Sequence, residues 1–332
     1  MTTPELDPEF DIVSIASPTM RLEASTLGAS AIGLYIGDSQ FSVIRALLPA
    51  LYPTHSQHFG AIAGPVANRI RDGRAPCGTD ILQLEKNEAG NHSLHSGHQG
   101  TGRQIWQCDH HAHSEISFSL FQPDMMLGFP GNRQFTCTYS LGQDEQGTGW
   151  LDVKLSMVSD KKTLCNMAFH PYFCLDNSGD ILSHRLQLSA YAYLATDDEN
   201  LPTGELIALA GSEFDFRNST RLRTLANAPL LDHNFCLECA QEGLSHALTL
   251  HSDISGLRMD VETNQPGMQI YCPKQLNQTL KSRTEPAFGA FPAICIEPQN
   301  WPDAPNNGQF PDIEIDADQR YENWSRFRFS SP

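Results

Sequence analysis

The chain is short of basic residues, long apolar runs and nucleotide-binding glycine signatures. Its 22 Lys and Arg stand against 39 Asp and Glu, a net charge of −17 with a pI near 5.1. Such a field repels phosphate polyanions and anionic lipid, so nucleic acid and membrane are poor partners. It also disfavours, weakly, a highly charged substrate such as a sugar phosphate, because a local basic pocket can override a global field. No run approaches the ~18 apolar residues of a membrane-spanning helix. The opening MTTPELDPEF is acidic and carries no apolar stretch of signal-peptide length. No G-x-G-x-x-G occurs, nor any alternation of strands with long helices, which argues against a nucleotide-binding α/β fold. Cysteine offers no framework either. The nine thiols are scattered and odd in number, and the lone C-x-x-C at Cys236 and Cys239 has no second pair to complete a zinc site. This pattern suits a reducing, cytoplasmic location.

What is present is short-period alternation. Leu151, Val153, Leu155 and Met157 fall on one side of a run whose other side is Asp152, Lys154 and Ser156. Ile116, Phe118 and Leu120 repeat the pattern, as do Phe135, Cys137, Tyr139 and Leu141, and the pair Leu186 and Leu188. A period of two marks half-buried strands. The 24 Gly and 21 Pro punctuate these runs as turns. Helical candidates are few: 42–51 is apolar but limited by Pro49, and 276–281 has room for a turn or two. The expectation is all-β, a large antiparallel β-sandwich in a single domain over 1–332, with residues 1–12 a loosely held arm.

Four stretches combine ionisable side chains with turn or strand context. In Gly60–Ile70, two glycines and a proline fix the backbone ahead of Asn68 and Arg69. A guanidinium fork can hold vicinal hydroxyls or a carboxylate, though a structural pairing with a local acid fits equally. The second stretch, Asn91–His98, has His92, His95 and His98 at spacing three, followed by Trp106. It invites a metal, but its Gly/Ser-rich setting is not helical and spacing alone does not converge three rings. One of the three is a candidate for acid–base or hydroxyl contacts, while His110, His111 and His113 read as solvated. The third stretch places His170 between apolar residues and before Pro171, either a tuned proton donor or a satisfied core histidine. In the fourth, an apolar strand ends on Glu297 and a proline-rich loop follows; a carboxylate at the lip of a rigid strand is placed as a base, or as a surface ion pair. Together, neutral hydroxyl ligands, histidine, a glutamate and the aromatics Trp106, Tyr172 and Trp301 describe a carbohydrate site.

In this order, GAIAGPVANRI, LHSGHQGTGRQIW, NMAFHPYFCL and EPQNWPDAPN resemble the hallmark segments of the aldose 1-epimerase (galactose mutarotase) family. LPTGEL, FDFR, LDHNF, QPGMQIY and the closing run 324–330 resemble further segments, so the resemblance covers about residue 55 to the end. It implies a β-supersandwich with the sugar in an open cleft. His170 would protonate the ring oxygen, Glu297 would take the anomeric hydroxyl proton, and His95 would assist near the same oxygen. Arg69, Asp232 and Gln269 would bind ring hydroxyls, supported by Asn68. Departures from the family pattern are Pro65, Ser96, Ala168, Phe169 and Cys174. They leave each ionisable position in place but remove polar groups around His170.

The reaction implied opens the hemiacetal ring, turns the free aldehyde about C1–C2 and recloses it on the other face. Its intermediate is a neutral aldehyde, so no cofactor and no metal is expected. The partner would be a free monosaccharide, on a monomer or homodimer. Rivals are a hexose-6-phosphate mutarotase, which needs extra Arg or Lys at the cleft edge, a sugar-binding protein without chemistry, and a histidine-metal enzyme.

Overall fold

Alternating apolar runs pair into two large antiparallel sheets that share one core. The computed structural model describes residues 10–55, 57–227, 230–238, 243–277, 279–284 and 286–331. The larger sheet has nine strands, in the order Thr220–Arg221, His184–Leu188, Ser245–Ser252, Arg258–Thr263, Arg320–Ser330, Gly149–Ser159, Arg133–Gln143, Glu115–Gln122 and Gln107–His111. Its centre is the long register of Gly149–Ser159 against Arg133–Gln143 on one side and Arg320–Ser330 on the other. Side chains alternate across a strand, so Leu151, Val153, Leu155 and Met157 all point inward and are buried, as the sequence pattern requires.

The second sheet has six strands, ordered Tyr172–Phe173, Ile294–Gln299, Gly267–Tyr271, Asp232–Leu237, Ala190–Thr196 and Pro202–Ala208. One face of it presents Ile294, Ile296, Met268, Ile270 and Phe235 to the core, where they join Phe327, Phe329, Val261 and Leu250 from the larger sheet. Burial of these apolar faces at ~25 cal/mol per Å² is the term that holds the sandwich closed. The opposite face of the same strands is the polar floor of a cleft. Three further strands, Ile12–Ser17, Met20–Ser25 and Ser30–Ile36, form a meander.

Helix is confined, among the described residues, to 3-10 turns, the longest being Leu222–Asn227. The apolar segment 42–51 yields only the turn Pro49–Leu51, while Ile44 and Leu47 bridge to Phe173 and Ser282 instead. Over 276–281 a single turn closes from Leu280 N–H to Asn277 O, and Gln278 lies outside the described residues. Of the arm expected over 1–12, residues 1–9 lie outside the described residues; Phe10 is buried and Ile12 opens a strand. Cys236 is buried, and its C-x-x-C partner Cys239 falls outside the described residues.

Candidate active site

The cleft floor follows from strand register. Glu297 lies directly across from Gln269, which lies across from Asn234. Two residues away, Tyr172, Cys295, Tyr271 and Asp232 form the neighbouring row across four strands. Residues opposite one another, or two apart, share a face. The rows therefore stand on one side of the sheet while Ile294, Ile296 and Ile270 enter the core. Glu297 is 2% exposed and sits inside Ile294–Gln299, which continues two residues past it. Read from the sequence, the strand ends at Glu297 because Pro298 looks like a breaker; instead Pro298 stays in the ladder opposite Met268.

His170 arrives from a different direction. The chain pairs Ala168–Phe169 with Ile62–Ala63, then Tyr172–Phe173 with the Glu297 strand. Pro171 has no N–H to continue the first pairing, and His170 occupies the break between the two. His170 N–H donates to Ala61 O, and its own carbonyl accepts from Gly60 N–H. Gly60 has φ +69° and any Cβ there would collide with Ala31 O, so only glycine brings this segment close enough. The His170 ring stacks on Tyr172 at 5.3 Å, and its Nε2 is 3.6 Å from Glu297 Oε1.

Burial acts on this pair in opposite senses. Desolvation lowers His170 to about 4, and it pushes Glu297 well above the carboxylate range, with Asp232 adding to the rise and Arg69 opposing it. His170 Nδ1 and Glu297 Oε2 are buried without hydrogen-bond partners among the described residues. Burial thus favours a neutral imidazole beside a protonated carboxyl group.

Asn68 and His95 complete one wall. Asn68 takes φ +62°, its side-chain oxygen accepts Arg69 N–H at 2.8 Å, and its N–H donates to His95 Nδ1 at 3.1 Å. Since Nδ1 of His95 accepts, the proton of the neutral ring resides on Nε2, leaving His95 a hydrogen-bond donor. Burial, then His58 and His170, hold it well below its ordinary value. Arg69 takes up the structural pairing with local acids. Its fork engages Glu88 through two bonds of 2.8 Å, and Nη1 stands 3.8 Å from Asp232 Oδ2. Gln269 Nε2 donates to Asp232 Oδ1 at 2.7 Å and leaves its own Oε1 buried and unpaired.

These residues surround a cavity of about 280 Å³ that includes Asn68, Arg69, His95, His170, Asp232, Gln269 and Glu297. All seven residues singled out from the sequence are therefore brought together. The histidine run is split, as its non-helical setting implies. His92 Nδ1 accepts Asp72 N–H, His98 is exposed and pairs with Glu85, and only His95 enters the cleft, so the three rings do not converge. Trp106 is buried against Phe135, and Trp301 packs on Phe310 with its Nε1 donating to Pro266 O. Neither lines the cleft; Tyr172 and Tyr271 do, Tyr172 with its ring buried by stacking on Phe59 and His170.

His58 has no counterpart among the sequence candidates. Its ring is 4.5 Å from His95 and 6.2 Å from His170, in the left-handed region at φ +51°. The signal was the run T-H-S-Q-H-F just ahead of Gly60, which has neither strand nor helix period. Tyr271 could have been found, two residues beyond Gln269 on the same face. Three of the departures are also accounted for. Ser96 Oγ bonds both N–H and O of Val66, Phe169 packs on Tyr139 and Phe327, and Cys174 Sγ donates to the Asp176 carbonyl.

A proton donor and acceptor a few ångströms apart, beside hydroxyl-binding amide, carboxylate and guanidinium groups, can exchange protons on two neighbouring oxygens of a polyol. The aldose 1-epimerase family model matches residues 11–328. A galactose mutarotase from Rattus norvegicus is 31% identical over 325 residues, covering 95% of this chain and 93% of its own. A galactose 1-epimerase structure from Lactobacillus acidophilus superposes with TM-score 0.81 at 26% identity, covering 99% of this chain and 97% of that one. The fold is also that of a GalM/aldose epimerase homologue from C. elegans, with TM-score 0.88 at 24% identity over 97% of this chain and 99% of that one.

Proposed function

The chain belongs to the aldose 1-epimerase family, and we propose that it interconverts the α and β anomers of a free glucose- or galactose-type aldose with His170 and Glu297 as the acid–base pair. The observation that carries this is the 3.6 Å approach of the two buried groups. O1 and O5 of a pyranose are both bonded to C1, so the acid and base acting on them must be near neighbours. Glu297 as carboxylate takes the O1 proton while His170 as imidazolium delivers one to O5. Ring opening leaves neutral His170 and protonated Glu297, the loading that burial favours. After rotation about C1–C2, closure on the other face returns both protons in reverse. The resting pair must first pass its proton from Glu297 to His170, and the sugar assists by donating O1–H to the carboxylate and accepting at O5.

His95 donates toward the same oxygens, while Arg69, Asp232 and Gln269 hold ring hydroxyls and Asn68 fixes His95. Tyr271 supplies an apolar face. Among the described residues lining the cavity, Arg69 is the one cation and is already paired with Glu88. This favours a neutral sugar over a sugar phosphate. A cytoplasmic setting is supported by the eight described cysteines, all free. Polarimetry of freshly dissolved α-glucose and α-galactose tests the proposal; spontaneous rates in the presence of folded protein, for every free aldose tried, would remove it.

A further inference from the structure

One neighbour of the proposed acid–base pair has no part in moving protons. Cys295 precedes Glu297 by two residues on the same strand, hence on the same face. It pairs across the ladder with Tyr172 on one side and Tyr271 on the other. A ring nitrogen of His170, Cys295 Sγ and a carboxylate oxygen of Glu297 all lie within 4.8 Å of one another. Among the described residues His170 Nδ1 and Glu297 Oε2 are buried without a hydrogen-bond partner, so the cluster offers polar atoms left free for a ligand.

Imidazole, thiolate and carboxylate are zinc's donor set, and three protein ligands leave the fourth tetrahedral position open. His170 and Glu297 line the cavity, which gives a cation an entry path to them, while Cys295 is buried and not among the lining residues. We propose that this cluster binds a thiophilic divalent cation of the Zn²⁺ type, in competition with sugar, and that occupancy stops turnover. The binding stands by itself; the loss of turnover rests on His170 and Glu297 being the acid–base pair.

Coordination takes one lone pair from each ligand. The Cys295 thiol proton, and the Glu297 proton where present, pass to bulk buffer, with no change in oxidation state. Side-chain rotation must contract the trio, since zinc–ligand bonds are about 2.0–2.3 Å. A thiolate ligand selects Zn²⁺ or Co²⁺ over Mg²⁺ and Ca²⁺, which prefer oxygen alone.

A second trio, Cys174, Asp176 and His184, meets the same distance limit but is already engaged. His184 Nε2 accepts Leu175 N–H at 2.9 Å, the Asp176 carboxylate accepts from Ser178 and Ser252, and Cys174 Sγ lies against two backbone carbonyls. A cation there would have to break contacts that the fold uses.

The test titrates Co²⁺ into chelator-treated full-length protein, following the thiolate-to-cobalt charge-transfer absorption, a readout independent of activity. The expected result is one equivalent bound, displaced by Zn²⁺ and suppressed by saturating galactose or glucose, with mutarotation falling at least tenfold under Zn²⁺ and returning with chelator. Cys295→Ala, or Cys295→Ser should the first variant fold poorly, should keep metal-free turnover, lose the band and resist Zn²⁺ at least tenfold better. Absence of the band in the unmodified protein overturns the site, as does a band that survives loss of Cys295 and vanishes in Cys174→Ser. A Cys295-dependent band in a protein without mutarotation would uphold the metal site and sink the enzymatic reading alone.

Discussion

His170 Nε2 stands 3.6 Å from Glu297 Oε1, and burial lowers the imidazole to about 4 while raising the carboxyl group. The ordinary order of the two groups is thereby inverted, and burial favours holding the pair's one proton on the carboxyl group. Coupled sites titrate as a pair, so the limbs of a rate profile belong to both residues together.

Below about pH 4 the pair would gain a second proton and lose its base. Above the raised value of Glu297 it would lose its only proton, and with it the acid. The expected kcat/KM is therefore flat through neutrality, with an acid limb near 4 and a basic limb above the carboxylate range. Ordinary values of about 4.3 and 6.5 would instead put the optimum near 5.4, with activity falling away by pH 7.5. Initial rates from pH 3.5 to 9, corrected for spontaneous mutarotation, separate the two; an optimum near 5.4 counts against the burial argument.

Glu297→Gln and His170→Asn each remove one proton-transfer group and keep much of its shape. Each is expected to lower kcat by about 10²–10⁴-fold. The thermal midpoint should remain within a few degrees, because among the described residues neither side chain has a close hydrogen bond to lose. A variant that turns over at near wild-type rate takes its residue out of the mechanism.

Arg69 divides its fork between Glu88 and the direction of Asp232. Glu88→Gln weakens the first pairing, so the guanidinium is expected to turn toward Asp232 and compete with sugar hydroxyls. KM should rise about 3–10-fold with kcat nearly unchanged. Asp232→Ala removes a charged acceptor worth about 1.5–3 kcal/mol, a KM increase on the order of 10–100-fold. Substrate-saturation curves for both variants check this; a fall in kcat at constant KM would place these residues in the chemistry rather than in binding.

Ser96 occupies φ +65° and ties both backbone groups of Val66 through one hydroxyl. Ser96→Gly relieves a left-handed conformation but leaves buried Val66 groups unpaired. The second effect should win, by about 1–2 kcal/mol of lost stability. Urea unfolding at neutral pH measures it, and a more stable glycine variant would show that backbone strain dominates.

The strands and the acid–base candidates were legible because each has a local signature: period two for the sheets, and ionisable residues beside Gly or Pro for the site. Burial was not. Glu297 reads as a strand lip because proline is rarely tolerated inside a sheet, yet Pro298 keeps its place and the carboxylate is enclosed. Trp106 and Trp301 read as sugar platforms by their nearness in sequence, but large aromatics stabilise most when fully packed, and both were drawn inward. His58 escaped notice because its place depends on a left-handed backbone turn, which no periodicity announces.

Because Gln269 faces Glu297 across a ladder, the spacing between a hydroxyl-binding amide and a proton-transferring carboxylate is set by the interstrand repeat of about 4.8 Å. The sheet is a ruler ruled in peptide bonds, and side-chain repacking cannot restretch it. Drift toward other sugars is thus confined to altering how far individual groups reach from fixed points. A one-residue insertion in either strand would turn the whole row into the oily interior.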